Sequence, residues 1–428
     1  MTVSSPSPTS SSPSVTSRPR SSGPAALCWL AMVLDGFDLV VLGAVIPTLL
    51  KSKDLGFDPA GATLAATLSL VGVGLGALFI APLSDRFGRK RLLVACVLWF
   101  SIFTLAVTVA PNVAVFSAFR LLAGVGLGAC LPAALAYMND FAPASSAARA
   151  TTRTMTGYHA GAVVTSLLAL ALIPDWRAVF VIGGIAGLVL APILWFRLPD
   201  TTVDRLAVSA PVGDQAAAGE QAGEPVAGAG AKPGFKVLLR KPYPLIAAGI
   251  AAASFMGLLL VYGLNTWLPT LMASAGYSMS SSLALLFILN LGAVAGLLLA
   301  GWLADRHGTK RITLLWFGLA AVLLALLSLK LQNELLLDLA VFVTGVFVFS
   351  AQVLVYAWVS QLFPRELTGT ALGFSAGVGR VGAILGPAVT GALVAGGVAY
   401  PWGFYVFALA AVAALAALLF IPTSRPAD

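Results

Sequence analysis

Residues 76–91 read GALFIAPLSDRFGRKR, and residues 296–311 read GLLLAGWLADRHGTKR. They align at a constant offset of 220 residues: Gly76 with Gly296, Asp85 with Asp305, Gly88 with Gly308, Lys90 with Lys310. Each stretch is the end of a long apolar run followed by a short basic loop. The chain is therefore two copies of one apolar unit, in the same orientation. That is the plan of the two halves of a secondary transporter.

Composition agrees. Of 428 residues, 59% are hydrophobic, and charge is limited to 25 Lys and Arg plus 17 Asp and Glu. Soluble domains are about a quarter charged, so an ordinary soluble enzyme is excluded, and disorder is excluded for the bulk of the chain. Runs long enough to cross a bilayer core of roughly 30 Å fall at 25–50, 61–83, 92–110, 113–138, 154–174, 178–196, 243–272, 282–304, 312–329, 335–362, 369–396 and 401–421. The expected fold is an all-α membrane protein of twelve transmembrane helices in two six-helix halves, 25–197 and 243–422. Residues 198–242, rich in Ala, Gly, Pro and charge, read as a flexible linker. Residues 1–24, rich in Ser, Pro and Thr, read as a disordered tail, and 423–428 as a short C-terminal tail.

Placing the 84–91 loop in the cytoplasm puts both termini, the linker and nineteen of the 25 Lys and Arg residues on that side, as the positive-inside rule demands. The net charge of +8 is accounted for in this way, with no nucleic acid implied. Cys28, Cys96 and Cys130 lie in apolar runs without metal-ligand spacing, so they read as small buried hydrophobes. No cofactor or metal is expected.

The Asp-Arg-x-Gly-x-Lys pattern at 85–90, echoed at 305–310, resembles the signature of the major facilitator superfamily. Within it, DGFDLVVLGAVIP (35–47), NTWLPTLM (265–272), GFSAGVGRVGAILGP (373–387) and RLLAGVGLGACLPAALAYMNDFAP (120–143) resemble the aromatic acid:proton symporter family. There are departures. Ala81 stands where the superfamily often has Gly, which Gly301 keeps. Asp140 stands where the narrower family has Glu, and Thr368 where it often has Arg. The resemblance implies import of a benzoate-like carboxylate with protons across the inner membrane of a bacterium, by a monomer. A symporter for aliphatic acids, a drug exporter of the same fold and a non-transporting sensor of aromatic acids are the alternatives. Span five lacks the Gly-Pro element of the superfamily's antiporters, which argues against drug export.

Four charges sit deep inside the apolar runs, well away from their ends. Asp35 is about 15 Å into the first span, counted at 1.5 Å per residue, and Asp38 lies one turn further. A carboxylate there costs at least about 2.5–3.5 kcal/mol on the insertion scale. It must face a water-filled cavity, find a cation or take up a proton. These two are the candidates for proton coupling, with a structural ion pair as the plain alternative. Arg120 and Arg380 reach mid-depth, one in each half. Arginine keeps its proton, so each requires an anion: the substrate carboxylate, or Asp35 or Asp38. Phe37, Phe119, Tyr262, Trp267, Tyr356 and Phe374 are candidates to enclose an aromatic ring, and Asn265 to bond a ring hydroxyl, although packing explains any single one of them. His159 is a weak proton-relay candidate. Asp85, Arg86, Gly88, Arg89 and Lys90, with Asp140 and the echo Asp305, Arg306 and Lys310, are expected to gate the cytoplasmic side. Glycines 124, 126 and 128, and 373, 377, 379, 382 and 386, are expected to let helices pack closely.

Overall fold

The computed structural model describes residues 23–141, 147–199, 237–238 and 240–422, the side chains of 85, 139–141, 147–155, 365, 366 and 369 excepted. Twelve long helices occupy the described residues, and no strand is found among them. In the first half these are α1 (Gly23–Ser52), α2 (Pro59–Leu75), α3 (Arg89–Ala106), α4 (Val113–Phe141), α5 (Ala147–Leu172) and α6 (Trp176–Arg197). In the second they are α7 (Pro244–Ser274), α8 (Met279–His307), α9 (Thr309–Leu326), α10 (Glu334–Leu362), α11 (Arg365–Ala395) and α12 (Trp402–Leu419). Every expected span matches one of these helices, the second continuing past α2 to Leu83. Eleven are long and apolar enough to cross a membrane, and the described apolar part of α5 is Thr156–Leu172. The expected tail at 1–24 lies outside the described residues except for Gly23 and Pro24, which already belong to α1. Most of the expected linker also lies outside them. At its near end the Tyr137 hydroxyl donates to the Pro199 carbonyl at 2.9 Å.

The repeat is carried into geometry. Asp58 caps α2 by accepting from the Gly61 N–H at 2.6 Å. Ser278 caps α8 by accepting from the Ser281 N–H at 3.0 Å. Both side chains satisfy donors that a helix start leaves open. Gly88 and Gly308 close the two basic loops with φ/ψ of 92°/140° and 90°/133°, a backbone conformation that favours glycine.

Between cap and loop the copies differ. Pro82 has no N–H to offer the Leu78 carbonyl, and its ring crowds the preceding turn. So α2 loosens into a π turn at Gly76–Ile80, then a 3-10 turn at Ala81–Leu83, before the short helix Ser84–Phe87. Trp302 holds the matching place in α8, which runs unbroken to His307.

Each half is zipped along a glycine seam. A Cβ on Gly72, Gly76, Gly124 or Gly128 would run into backbone across the α2–α4 contact, and one on Gly292, Gly296 or Gly345 would do so across α8–α10. Backbones can approach this closely only where side chains are absent. The expectation of glycine packing holds in α11 for Gly379, Gly382 and Gly386, which face α7, but a Cβ on Gly373 or Gly377 would meet nothing. Gly301 likewise faces open space, so Ala81 at the matching place forfeits no contact that the copy makes.

The halves meet where α1 packs on α7, α2 on α11 and α5 on α8. Large apolar side chains such as Leu78, Phe79, Phe196, Leu335, Leu409 and Phe420 point outward. An apolar belt of this size suits lipid and not water. The three cysteines are free and buried, all in one core cluster of the first half.

Candidate functional site

Helix α1 carries both acidic candidates past α5 and α6. Gly36 lets it touch the Tyr158 backbone of α5, where a Cβ would collide with the carbonyl. Asp35 and Asp38, three residues apart on one helix, are both buried, but their surroundings differ.

Asp38 is enclosed by partners. Its Oδ1 accepts from Arg120 Nη1 at 2.7 Å and its Oδ2 accepts from the Thr104 hydroxyl at 2.9 Å. Arg120 also donates through Nη2 to the Asp38 carbonyl at 2.9 Å and to the Ser69 hydroxyl at 3.1 Å, and stands over the Phe180 ring at 5.9 Å. The guanidinium is fully buried. This cluster draws on α1, α2, α3, α4 and α6, all from the first half. The alternative that Arg120 holds an aspartate is the one realised here. Ser69 and Thr104 are partners that sequence reading passed over. One hydroxyl in an apolar run gives no sign of which helix it will face.

Asp35 is open by comparison. Its Oδ1 accepts no hydrogen bond. The charge of Arg380, from α11 of the second half, acts on it across the interface. Arg380 is half-buried, and Nη1 donates to the Tyr262 hydroxyl of α7 at 3.2 Å. Tyr356 of α10 lies within electrostatic range of Arg380, and Tyr158 of α5 within range of both Arg380 and Asp35. The structure thus gathers Asp35, Arg380, Tyr262 and Tyr356 around one place between the halves and adds Tyr158. A fixed cation, an open carboxylate and phenol hydroxyls can receive an anion and exchange a proton.

Several aromatic candidates are placed elsewhere. The Phe37 ring fills the space over Gly183 of α6. Phe119 lies 6.3 Å from the Phe103 ring. Trp267 is fully buried, and its Nε1 donates to the Pro387 carbonyl at 2.9 Å, tying α7 to α11. Phe374 is half-buried against the core cluster that runs through both halves. Asn265 is buried and accepts from Asn290 Nδ2 at 3.0 Å.

At the loop end, cations meet helix ends and rings. Arg89 donates to the Ala136 carbonyl of α4 at 2.6 Å. Lys310 donates to the Leu419 and Ile421 carbonyls at the end of α12, at 3.3 and 2.5 Å. Cations are favoured where helix carbonyls end. Lys90 stands over Trp195 at 5.5 Å, Arg306 over Trp302 at 4.2 Å and Arg86 over Phe87 at 5.5 Å. Each of these contacts stays within its own half. Asp305 is exposed. The side chains of Asp85 and Asp140 lie outside the described residues.

Comparison with known proteins identifies the family of the chain. The model of the Major Facilitator Superfamily matches residues 28–374 and 284–428. The gentisate transporter of Corynebacterium glutamicum is 36% identical, over 91% of this chain and 85% of its own length. The gallate transporter of Pseudomonas putida is 31% identical over 92% and 90%, and the benzoate transport protein of Acinetobacter baylyi 30% identical over 93% and 89%. Among solved structures, the partially occluded, inward-open xylose transporter XylE from E. coli superposes with a TM-score of 0.71 at 17% identity, covering 94% of this chain and 98% of that one. That likeness is one of fold.

Proposed function

This chain belongs to the Major Facilitator Superfamily, and on that premise we propose that it imports an aromatic carboxylate together with protons across the cytoplasmic membrane of a bacterium. The observation that carries the reading is that Arg380, half-buried with a tyrosine hydroxyl as its hydrogen-bond partner, lies within electrostatic range of Asp35, buried with a bare Oδ1 on the facing half. The names of the relatives, transporters of gentisate, gallate and benzoate, supply the substrate class.

In this mechanism the substrate carboxylate docks on the Arg380 guanidinium through paired charge-assisted hydrogen bonds, with Tyr262 as a further donor and the tyrosines beside the ring. Docking satisfies the arginine, and Asp35, no longer its counter-ion, takes a proton. The loaded site has lost its uncompensated charge, so the halves can close over it and reopen on the other side. There the proton leaves Asp35, the carboxylate regains Arg380 and the substrate is released. Cotransport of a monoanion with one proton is electroneutral and driven by the pH difference. Asp38 and Arg120 serve as the fixed frame of α1. The loops at 85–91 and 305–311, with Gly88 and Gly308 as their turns and Arg89 and Lys310 as their anchors, gate the cytoplasmic side, where the linker and both termini lie.

The test is uptake of radiolabelled 4-hydroxybenzoate into cells expressing the protein, with and without a protonophore. Unlabelled benzoates, phenylpropionates and aliphatic acids serve as competitors. Uptake that a protonophore abolishes and only aromatic acids block is the expected result. Movement of an aliphatic acid or a drug instead overturns the substrate class.

A further inference from the structure

Where α5 and α8 bring the two halves together, three buried polar side chains have bonding capacity to spare. Asn290 of α8 uses its Nδ2 twice, donating to Asn265 Oδ1 and to the Leu286 carbonyl, each at 3.0 Å. The Leu286 carbonyl fixes which way Asn290 faces, and Asn290 in turn fixes Asn265. What is left over is one donor, Asn265 Nδ2, and one acceptor, Asn290 Oδ1, both without partners. The two residues are 3% and 0% exposed. From the other half, the His159 ring reaches the Asn290 side chain at the edge of hydrogen-bonding range without closing a bond to it, and lies edge-on to Phe349 with 5.5 Å between ring centres. Its Nδ1 is also without a partner.

Buried polar atoms without partners cost folding free energy, so a site that keeps three together has a use for them. One free donor beside one free acceptor is the complement of a hydroxyl group, which donates once and accepts. The place is also right. Asn265 follows Tyr262 by three residues on α7, hence on the same face and about 5 Å along the axis at 1.5 Å per residue. Tyr262 holds the Arg380 guanidinium. A carboxylate anchored there leaves the amide pair about one helical turn away along α7.

We propose that Asn265 and Asn290, with His159, bind a hydroxyl on the substrate's ring, so that the protein selects hydroxylated aromatic acids over benzoate itself. The inference rests on the reading of the chain as an aromatic-acid importer and adds to it a specificity site. A site built to bond a hydroxyl rejects the analogue that lacks it, because its polar atoms are then left buried and bare.

The experiment compares how strongly 4-hydroxybenzoate, gentisate and benzoate compete for uptake. It uses the intact protein, Asn290→Leu, the double variant Asn265→Leu/Asn290→Leu, and His159→Phe. Replacing both amides leaves no half-satisfied partner behind, which keeps the double variant foldable. His159→Phe retains a ring against Phe349. The intact protein is expected to bind at least one hydroxylated acid about tenfold or more tightly than benzoate, the worth of one well-made hydrogen bond. Each variant is expected to lose most of that ratio, whatever its absolute rate. An intact protein that transports all three acids with equal affinity overturns this inference alone. So does a ratio that survives in every variant, which would leave the amides serving water or packing. If the intact protein moves no aromatic acid, the importer reading fails, and the specificity site with it.

Discussion

Arg120 and Arg380 are both arginines at mid-depth, one in each half, but they live in opposite conditions. Arg120 donates to Asp38 twice and to Ser69 once, inside one half and out of reach of solvent. Arg380 has Tyr262 for a hydrogen-bond partner and lies within electrostatic range of a carboxylate on the other half. The difference teaches how a membrane protein uses buried charge. A cation bonded through both amino groups within one rigid unit holds that unit together, even with its Nε bare. A cation left short at the interface between two units can hold something that comes and goes.

Four substitutions sharpen or break this contrast, in descending order of effect. Arg120→Gln leaves Asp38 buried without its cation, and breaking such a pair costs about 3–5 kcal/mol. The expected result is a lowered melting temperature in detergent and less protein in the membrane, with partial recovery when Asp38→Asn is added. Equal loss from the single and the double variant would refute the frame role. Arg380→Gln is expected to leave yield and melting temperature close to normal. Uptake should fall about 10- to 100-fold or more, since a hydrogen bond to a charged group is worth about 1.5–3 kcal/mol. Normal uptake by that variant removes Arg380 from the substrate site.

Asp35→Asn cannot take up a proton. Its substrate should still exchange across the membrane, but accumulation driven by a pH difference should vanish. One pH unit is worth about 1.4 kcal/mol, or tenfold accumulation, per proton. Retained pH-driven accumulation would move the coupling role to another group.

The smallest effect is at the opposite end of the bundle. Asp54 Oδ2 accepts from Arg177 Nη1 at 2.8 Å and from Trp176 Nε1 at 3.0 Å. Burial raises the Asp54 carboxyl, but those two donors, the Arg177 charge and the Leu55 N–H outweigh it, and it lies below its ordinary value. A depressed carboxylate contributes stability above its unfolded value of about 4. That contribution fades as pH falls through the lower, folded value. Both side chains are partly exposed, so Asp54→Asn should cost less than about 1 kcal/mol at neutral pH. The cost should disappear in melting curves recorded in acid, and a cost that grows in acid would refute the assignment.

The fold was legible because its signals are additive over many residues. Runs such as 113–138 or 335–362 need only length and apolarity, and each falls on a helix. The site was legible in its charges, since an ionised group in an apolar run is costly and therefore informative. Which charge meets which was not legible. Asp35 and Asp38 read alike in sequence, and their environments are decided by the helices that α1 crosses. Aromatic residues mislead for the opposite reason. Phe37 and Trp267 are as welcome in packing as in a binding site, and packing claimed both. Asn265 was readable as a polar residue in an apolar run, but its pairing with Asn290 was not, because the sequence does not say which amides meet across a helix contact.

The π turn of α2 bears on ancestry. Asp58 and Ser278 cap matching points, Gly88 and Gly308 close matching points, and thirty residues separate the two marks in each half. The two copies therefore hold the same number of residues between these marks. What changed is the winding. With Pro82 in one copy and Trp302 in the other, the same count of residues is spooled differently, because an i→i+5 turn takes up more chain than an α turn. Two genes' worth of text can stay in perfect register while the objects they describe drift out of symmetry.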